Sequence, residues 1–345
     1  MLPEILKKLN RICVKNSSLR ILNYYKVKNG KAEYTDLDNW IFTKSDYKDG
    51  IYYKFKPDQK EQAISPESEM EEYPVLTLEG EPKKEYVFNI QELNENIILF
   101  TAKDDTRDCL MQVYINKKNE AVATNGFYIY IQKISCKKDC IIPVSFIRLC
   151  KVFNISEVYT VGKWIYGMQD DIEIYTKITE EIYPNYEVAI PKLEKSEITA
   201  EDFRNFSSAL IECKNYWNEK TNMIIFHDNW LLVRNEKNKR MKINLNKKIF
   251  PTPRGFNGKY FLDIILKTAE GNLYYHPVSN LSMVYFKSEN SLTGIMLLRI
   301  VEPYDLKDFT EIFVTEKKKS EEKNKPDYKK MYFELLAKYN KEVKK

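Results

Sequence analysis

In the middle of the chain, the pattern of apolar and polar residues predicts the same order of secondary-structure elements twice. Residues 85–89 alternate as a strand does and residues 90–100 indicate a short helix. Three strand-like runs follow, separated by the turn signals Asn-Lys-Lys-Asn and Asn-Gly. The same order returns over residues 139–178, where residues 144–152 are the helical part. The pattern therefore predicts a β-α-β-β-β unit that occurs twice in succession.

The same unit returns twice more toward the C-terminus. Thr199 followed by acidic residues predicts a helix start, this helix extends to about residue 213, and three strand-like runs follow it. Another unit spans residues 256–299 with its helix at 261–268. Recurrence at a period of roughly 50 residues is typical of a repeat architecture. We therefore expect an α+β fold of paired units, with a middle domain over 85–192 and a last domain over 193–303.

The N-terminal part fits only half of this template. A helix at 3–15 precedes strand-like runs, but residues 57–72 are acidic, contain two prolines and lack an apolar face. We therefore expect a reduced first domain over residues 1–84, with an irregular loop where the second helix should be.

After residue 303 the repeat stops. Residues 304–345 are predicted to hold a solvated linker at 316–325 and a basic amphipathic tail helix at 326–342. Residues 304–315 keep an apolar character that a plain linker does not need. We expect the tail to dock on an external partner or on DNA rather than on its own chain; a tail without any role is the alternative.

Charge is segregated along a chain with 55 basic and 50 acidic residues and a net charge of +5. Residues 316–345 hold 11 lysines against 6 acidic residues, whereas residues 58–85 hold 9 acidic against 3 basic residues. Such a chain can present one basic and one acidic face. The apolar runs are far shorter than the roughly 18–20 residues that span a bilayer, and the N-terminal pattern is not that of a signal peptide. We expect no membrane contact.

Residues that could carry catalysis are sparse. Six irregularly spaced cysteines suggest a reducing compartment with free, buried thiols. Cys136 and Cys140 flank Lys-Lys-Asp, yet no second Cys/His pair completes a tetrahedral zinc set. The two histidines, His227 and His276, are each expected to be structural.

Two acidic pairs, 104–105 and 170–171, could in principle hold the metal ions of a two-metal nuclease. Carboxylates in turns are far more often exposed to solvent, however. The sequence therefore predicts a protein that is not an enzyme and has no metal site, no catalytic residue and no cofactor.

Four strings occur in order along residues 1–303: NGKAEYTDLDNWI (29–41), AVATNGFYIY (121–130), IYPNYEVAIPK (182–192) and GIMLLRIV (294–301). With the paired units, they make the sequence resemble the bacterial-type DNA polymerase sliding clamp, the β subunit of the replicase. Departures from that family are Asn125 in place of Asp, Phe127 and Tyr128 in place of His and Arg, and Leu297 in place of Pro. The resemblance implies three clamp-like domains in a divergent clamp, from a phage or a low-GC host.

This resemblance implies a non-enzymatic processivity factor, DNA polymerase III beta-like, that encircles double-stranded DNA. Because one chain is too small to enclose a duplex, subunits are expected to associate head to tail as a homodimer ring. The implied location is the cytoplasm of a bacterium or of an infected host cell. The family closes its ring between the first domain of one subunit and the last domain of the next. The reduced first domain therefore leaves an alternative, a clamp-like nucleic-acid-binding or scaffold protein of a viral complex that closes no ring.

A clamp encloses a duplex without gripping it, so it needs helices with scattered basic residues that face phosphate. Helix 3–15 carries basic residues on one stripe and apolar residues on the opposite one. A solvated helix face is the alternative for any single helix. With the resemblance, the expected DNA-facing residues are Lys7, Lys8, Arg11, Lys15, Arg148, Lys151, Arg204 and Lys267.

The resemblance also implies a hydrophobic cleft between the middle and last domains. In the family this cleft captures short peptides of the polymerase and of clamp-loader-type partners, and an apolar cleft with a flexible Met suits varied anchors. Ordinary core is the alternative for the strand residues. The cleft residues carried over are Thr124, Gly126, Phe127, Ile129, Pro184, Val188, Ala189, Ile295, Met296, Leu297 and Leu298.

Overall fold

The computed structural model describes residues 2–12, 19–53, 73–78, 83–104, 107–217, 222–234, 239–276, 283–300 and 304–311. The strands are β1 Tyr24–Lys28, β2 Lys31–Thr35, β3 Asn39–Lys44, β4 Gly50–Tyr53, β5 Lys84–Asn89, β6 Gln112–Asn116, β7 Glu120–Thr124, β8 Tyr128–Lys133, β9 Cys140–Pro143, β10 Glu157–Val161, β11 Trp164–Gln169, β12 Ile172–Lys177, β13 Glu194–Thr199, β14 Met223–His227, β15 Trp230–Arg234, β16 Arg240–Asn244, β17 Arg254–Asn257, β18 Asn272–Tyr275, β19 Met283–Lys287, β20 Ser291–Met296 and β21 Thr310–Glu311.

Helices are few and short beside these strands. The α-helices are α1 Leu2–Ile12, α2 Val144–Phe153, α3 Ala200–Asn205 and α4 Ser207–Cys213. A helical run over 258–268 joins Gly258–Tyr260, a π-helical turn Phe261–Ile265 and Leu266–Thr268. None of the helices in the described ranges is long and apolar enough to cross a membrane.

The strands of the described residues form three sheets. Their orders are β4-β1-β2-β3-β12-β11-β10-β5, then β13-β18-β19-β20-β8-β7-β6-β9, and finally β17-β14-β15-β16-β21. Within the described ranges, three-strand meanders recur five times, as β1–β3, β6–β8, β10–β12, β14–β16 and β18–β20, and the first strand of each pairs with a further strand. The expected α+β fold of repeated units is confirmed.

Two antiparallel pairings join these meanders into larger sheets. The first seam is the pairing of β3 with β12, and the second seam is the pairing of β8 with β20. In both, the third strand of one meander lies beside the third strand of another. The domain boundaries at 84, 192 and 303 stay predictions.

Local structure differs from the sequence pattern in two helices. The expected helix over 90–100 is two 3-10 turns, Ile90–Glu92 and Glu95–Phe100, because the side chains of Asn89 and Asn94 each cap a new turn. The expected continuous helix to residue 213 is interrupted at Phe206, between α3 and α4. The capping box that starts it, Thr199 with Asp202, is present as the sequence indicates.

The apolar stripe of α1 is buried in the larger hydrophobic core. Leu2, Ile5, Leu6 and Leu9 lie in this core together with residues of α2 and of the first sheet. A second core, rich in phenylalanine, fills the last part of the chain around Phe226. Of the C-terminal region, residues 304–311 are described, and the expected tail helix over 326–342 lies outside the described residues.

Candidate functional site

The second seam brings two of the resemblance strings side by side. Ile295 lies opposite Tyr128 and Gly294 opposite Ile129 in the β8–β20 pairing. At the end of β20, the backbone N–H of Met296 donates to the carbonyl of Phe127, in the turn before β8, over 2.8 Å. The seam therefore places the side chains of residues 127 and 296 at one end of the same strand pair.

The turn between β7 and β8 presents Phe127 to solvent. The Thr124 hydroxyl donates to the Tyr128 carbonyl over 2.8 Å and accepts from the Gly126 N–H over 3.1 Å. Gly126 has a φ of +88°, a backbone conformation that residues with a side chain rarely adopt. The ring of Phe127 is 57% exposed, with its centroid 6.4 Å from that of Tyr260.

The third string is anchored by two tyrosines. Tyr183 is buried and its ring stacks on that of Tyr114, with centroids 5.0 Å apart. The hydroxyl of Tyr186 accepts a hydrogen bond from the Asn116 amide over 2.8 Å. Both tyrosines belong to the same apolar cluster as Ile129 of β8. This anchoring leaves Val188 81% exposed on the outside of the segment.

The expected cleft residues divide by exposure. Ile129, Ile295 and Leu297 are buried, so they can only form a floor. Thr124, Pro184 and Leu298 are partly buried, and the Leu298 N–H donates to the Gly255 carbonyl over 2.8 Å. The residues that a partner can reach directly are Gly126, Phe127, Val188, Ala189 and Met296.

Two apolar residues near this surface were missed by sequence reasoning. Tyr260 packs edge-on against Tyr128, with ring centroids 5.1 Å apart, although it belongs to the helical run of the last domain. No local signal indicates this contact, because it depends on tertiary packing. Ile182 is 92% exposed at the start of the third string, and a large apolar residue beside buried tyrosines could have been singled out.

The expected DNA-facing residues of the N-terminal and middle helices lie close together. Helix α1 packs against α2, and the Lys8 ammonium lies 5.6 Å from the ring centroid of Phe153 on α2. Lys7, Lys8 and Arg148 are exposed. Lys151 differs because its ammonium donates to the Leu93 carbonyl over 3.0 Å.

The expected basic residues of the last domain form a second group. One guanidinium nitrogen of Arg204 pairs with Glu201 at 2.9 Å, and another donates to the Ala269 carbonyl over 2.6 Å. Arg204 is thereby tied to the helical run that carries the exposed Lys267. The side chain of Arg11 and all of Lys15 lie outside the described part of the chain.

The described residues contain no group of three or more His, Cys, Asp or Glu side chains that could hold a metal ion. Cys136 and Cys140 are free and buried, and burial raises the pKa of Cys140 to about 12. Of the acidic pairs, Asp171 pairs with Lys44 at 2.6 Å, and Asp105 lies outside the described ranges. The geometry therefore offers binding surfaces, formed by exposed apolar side chains at the second seam and exposed basic side chains on α1 and α2.

In sequence, no protein-family model and no curated protein matches the chain. In structure, it is similar to a DnaN sliding clamp (DNA polymerase III subunit beta) from Pseudomonas aeruginosa bound to griselimycin. The TM-score is 0.66 at 16% identity, over 87% of this chain and 97% of that chain. The chain has the sliding-clamp fold.

Two further sliding clamps give the same result. A DNA polymerase III beta chain from Streptococcus pneumoniae has a TM-score of 0.68 at 14% identity, over 86% of this chain and 97% of that one. A C. crescentus beta sliding clamp, bound to PEG at its beta-motif tethering region, has a TM-score of 0.67 at 15% identity, over 87% and 96%. The resemblance to this family is confirmed for the fold, at an identity of 14–16% to these three structures.

Proposed function

We propose that the protein is a DNA polymerase processivity factor, a ring-shaped clamp that slides on double-stranded DNA and carries out no catalysis. The observation that carries the proposal is the sliding-clamp fold over 86–87% of the chain. A clamp of this kind acts by enclosing a duplex, which needs shape and basic charge but no reactive group. One chain of this length is too small to enclose a duplex, so the ring is a head-to-tail homodimer.

The exposed basic residues of α1 and α2 support contact with DNA. Lys7, Lys8 and Arg148 are exposed on two packed helices, with Lys7 in a surface ion pair with Glu4. Lys151 and Arg204 are partly buried, and each donates to a backbone carbonyl. Contacts to phosphate are independent of sequence and weaken with salt because bound counterions are released. The proposed principal DNA contacts are therefore the first three residues together with Lys267.

The exposed apolar residues of the second seam support peptide capture. Phe127 and Met296 are joined by a backbone hydrogen bond at the end of the β8–β20 pairing, and Val188 is exposed on the segment over 182–192. Large exposed apolar side chains over an ordered floor are typical of peptide-docking sites. We propose that short motifs of a polymerase and of clamp-loader-type proteins bind here.

The proposal is tested by retention of the protein on nicked circular DNA and on the same DNA after linearisation. A ring stays on the circle and slides off the linear form, whereas a protein that binds only a surface of DNA shows equal retention. The triple variant Lys7→Glu, Lys8→Glu, Arg148→Glu should reduce the salt slope of binding by about 0.9 for each phosphate that the variant no longer neutralises. The matched control reverses three exposed lysines that lie outside the helices, Lys28, Lys48 and Lys117.

A second candidate function is a clamp-like nucleic-acid-binding or scaffold protein that closes no ring. The observation that favours it is the outer edge of β16, which is covered by β21 of the same chain. Equal retention on circular and linear DNA, together with a monomeric mass in light scattering, would decide for this function. Binding of polymerase peptides at the second seam is common to both functions.

A further inference from the structure

A cavity of about 730 Å³, here called the polar groove, lies beside the first seam. Residues from both sides of this seam line it, since Asp38 lies just before β3 and Lys177 is the last residue of β12. Its volume falls within the roughly 300–1,000 Å³ that is typical of ligand sites. Neither the basic residues of α1 and α2 nor the apolar surface of the second seam accounts for this cavity.

The charged residues of the polar groove are mostly acidic. They are Asp38, Asp108, Glu180 and Lys177. Glu180 lies 3.8 Å from Lys163, whereas the carboxylates of Asp38 and Asp108 form no ion pair and accept no hydrogen bond within the described residues. Burial, followed by the like charges of Asp36 and Asp108, raises the pKa of the Asp38 carboxyl. Lys177 therefore does not neutralise this end of the groove.

The hydrogen-bond donors in the wall of the polar groove are already engaged. The hydroxyls of Ser145 and Thr176 both donate to Oδ1 of Asn39, over 3.2 and 2.7 Å. The side-chain amide of Gln112 donates to the Asp108 carbonyl over 3.3 Å. The side-chain oxygen of Gln112 is buried and accepts no hydrogen bond in the part of the chain that the structure describes. The groove is thus rich in acceptors and poor in donors, which favours a ligand that brings donors and positive charge.

We propose that the polar groove binds an arginine of an extended peptide segment from a partner protein. A guanidinium presents several donors in a planar fork and keeps its charge, so it suits the two carboxylates of Asp38 and Asp108. The aliphatic stem of the same side chain can lie on Met111 and Val144, which are apolar members of the lining. One arginine side chain fills only a fraction of about 730 Å³, so residues beside it in the peptide occupy the remaining space.

The polar groove selects a different partner from the one proposed for the second seam. A motif with arginine gains nothing from the exposed Phe127 and Met296, and an apolar motif leaves the carboxylates of the groove without donors. One chain can therefore hold two partners at once, one at each seam. This inference goes beyond the proposed function and does not depend on closure of a ring.

The test uses the labelled peptide Ala-Ala-Arg-Ala-Arg-Ala-Ala, acetylated and amidated at its ends, and a counterpart in which citrulline replaces both arginines. Fluorescence anisotropy with the full-length protein at low salt should show saturable binding of the first peptide and none of the second. Asp38→Asn combined with Asp108→Asn should weaken binding by about tenfold or more, because charge-assisted hydrogen bonds are lost. Lys177→Ala should strengthen binding, because it removes a competing cation. No binding of the arginine peptide up to about 1 mM overturns the proposal.

A control variant separates the groove from the overall charge. Asp46→Asn combined with Glu95→Gln removes two exposed carboxylates that are not among the lining residues, and it should leave the affinity unchanged. Equal weakening by both double variants overturns the site. Free N-acetyl-arginine amide should displace the peptide only weakly, and displacement at the peptide's own concentration would overturn the peptide as the occupant. Circular dichroism melts verify that the variants are folded, and none of these outcomes affects the DNA or second-seam proposals.

Discussion

The first and second seams share one backbone arrangement. In the turn before each seam a threonine hydroxyl donates across the turn, Thr35 to the Asn39 carbonyl over 2.9 Å and Thr124 to the Tyr128 carbonyl over 2.8 Å. After each turn the strands are tied by equivalent bonds. The Lys177 N–H donates to the Asp38 carbonyl over 3.1 Å, as the Met296 N–H does to Phe127. Asp38 is therefore the counterpart of Phe127, and Lys177 that of Met296.

The side chains on this shared backbone differ in kind. The first seam presents a carboxylate and an ammonium where the second presents an aromatic ring and a thioether. A cavity of about 730 Å³ lies beside the first seam, and Asp38, Asp108 and Lys177 are among its lining residues. Burial, with Asp36 and Asp108 adding to it, raises the pKa of the Asp38 carboxyl. The comparison shows that the repeat supplies the same seam backbone twice, while exposed apolar side chains are present at the second seam.

The largest expected effect comes from giving the second seam the polarity of the first. Phe127→Asp combined with Met296→Lys should abolish binding of a polymerase-derived peptide, since loss of a central apolar anchor costs about 30-fold or more in affinity. Both side chains are exposed, so the melting temperature should stay near that of the parent. Fluorescence anisotropy with a labelled peptide measures the affinity, and circular dichroism measures the melt.

The matched control removes the equivalent side chains at the first seam. Asp38→Ala combined with Lys177→Ala should leave peptide affinity unchanged, because these residues border the polar groove. If the control lowers the affinity for the peptide as much as the second-seam variant does, the assignment of the cleft to the second seam is wrong.

The next effect concerns the hydrogen bonds buried at the first seam. Asn39 is buried, and its side-chain amide oxygen Oδ1 accepts from the Thr176 hydroxyl over 2.7 Å and from the Ser145 hydroxyl over 3.2 Å. Asn39→Ala leaves these hydroxyls without their acceptor and should lower the free energy of unfolding by about 2 kcal/mol. Asn125→Ala, in the equivalent turn, removes bonds to two backbone N–H groups at a partly exposed site and should cost less. Urea denaturation measures the free energy of unfolding of both variants. An equal loss in the two would contradict the expectation that the buried bonds of Asn39 stabilise the first seam more than those of Asn125 stabilise the second.

The sequence could predict the repeat but not the contacts between repeats. Alternation and turn signals depend on neighbouring residues, so the meanders and helix α2 follow from the pattern. Asp38 and Lys177 are far apart in sequence and meet only through strand pairing, so no local signal marks the polar groove. The contact of Tyr260 with Tyr128 is hidden for the same reason. The resemblance could predict which strings form the expected cleft. It could not predict which of their residues are buried and which are accessible, because that depends on the three-dimensional packing.

The segment over residues 304–311 shows the same limit from another side. The apolar character of residues 304–315 indicated more than a plain linker, whereas the expected docking on an external partner or DNA concerned the tail helix over 326–342, which lies outside the described residues. Residues 304–311 lie on their own last sheet, because Phe309 and the Arg240–Asp308 pair fit an edge that the repeat leaves uncovered. The reason is topological, and counting strands along the sequence does not show which edge remains free.

A smaller effect is expected at the position where the two turns have the same backbone conformation. Leu37 has a φ of +77° at the position where the second turn has Gly126 at +88°. Gly126→Leu should lower the free energy of unfolding by about 1 kcal/mol through backbone strain alone, because a Cβ there has open space. Leu37→Gly should raise it by less, since the entropy of glycine in the unfolded chain offsets part of the relief. Thermal melts of the two single variants should shift in opposite directions, and shifts of the same sign would show that the turns are not equivalent.

The smallest effect concerns two surface ion pairs that accompany the first seam. Lys31 pairs with Glu173 at 3.3 Å, and Lys44 pairs with Asp171 at 2.6 Å. The Lys44 side chain is 77% exposed, so water and salt screen its charge, and fixing a long side chain costs entropy. A double-mutant cycle with Lys44→Ala and Asp171→Ala should therefore give a coupling below about 0.5 kcal/mol, which shrinks further in high salt. A coupling of several times this value, insensitive to salt, would mean that exposed charge rather than the Asn39 bonds and the buried strand residues holds the first seam together.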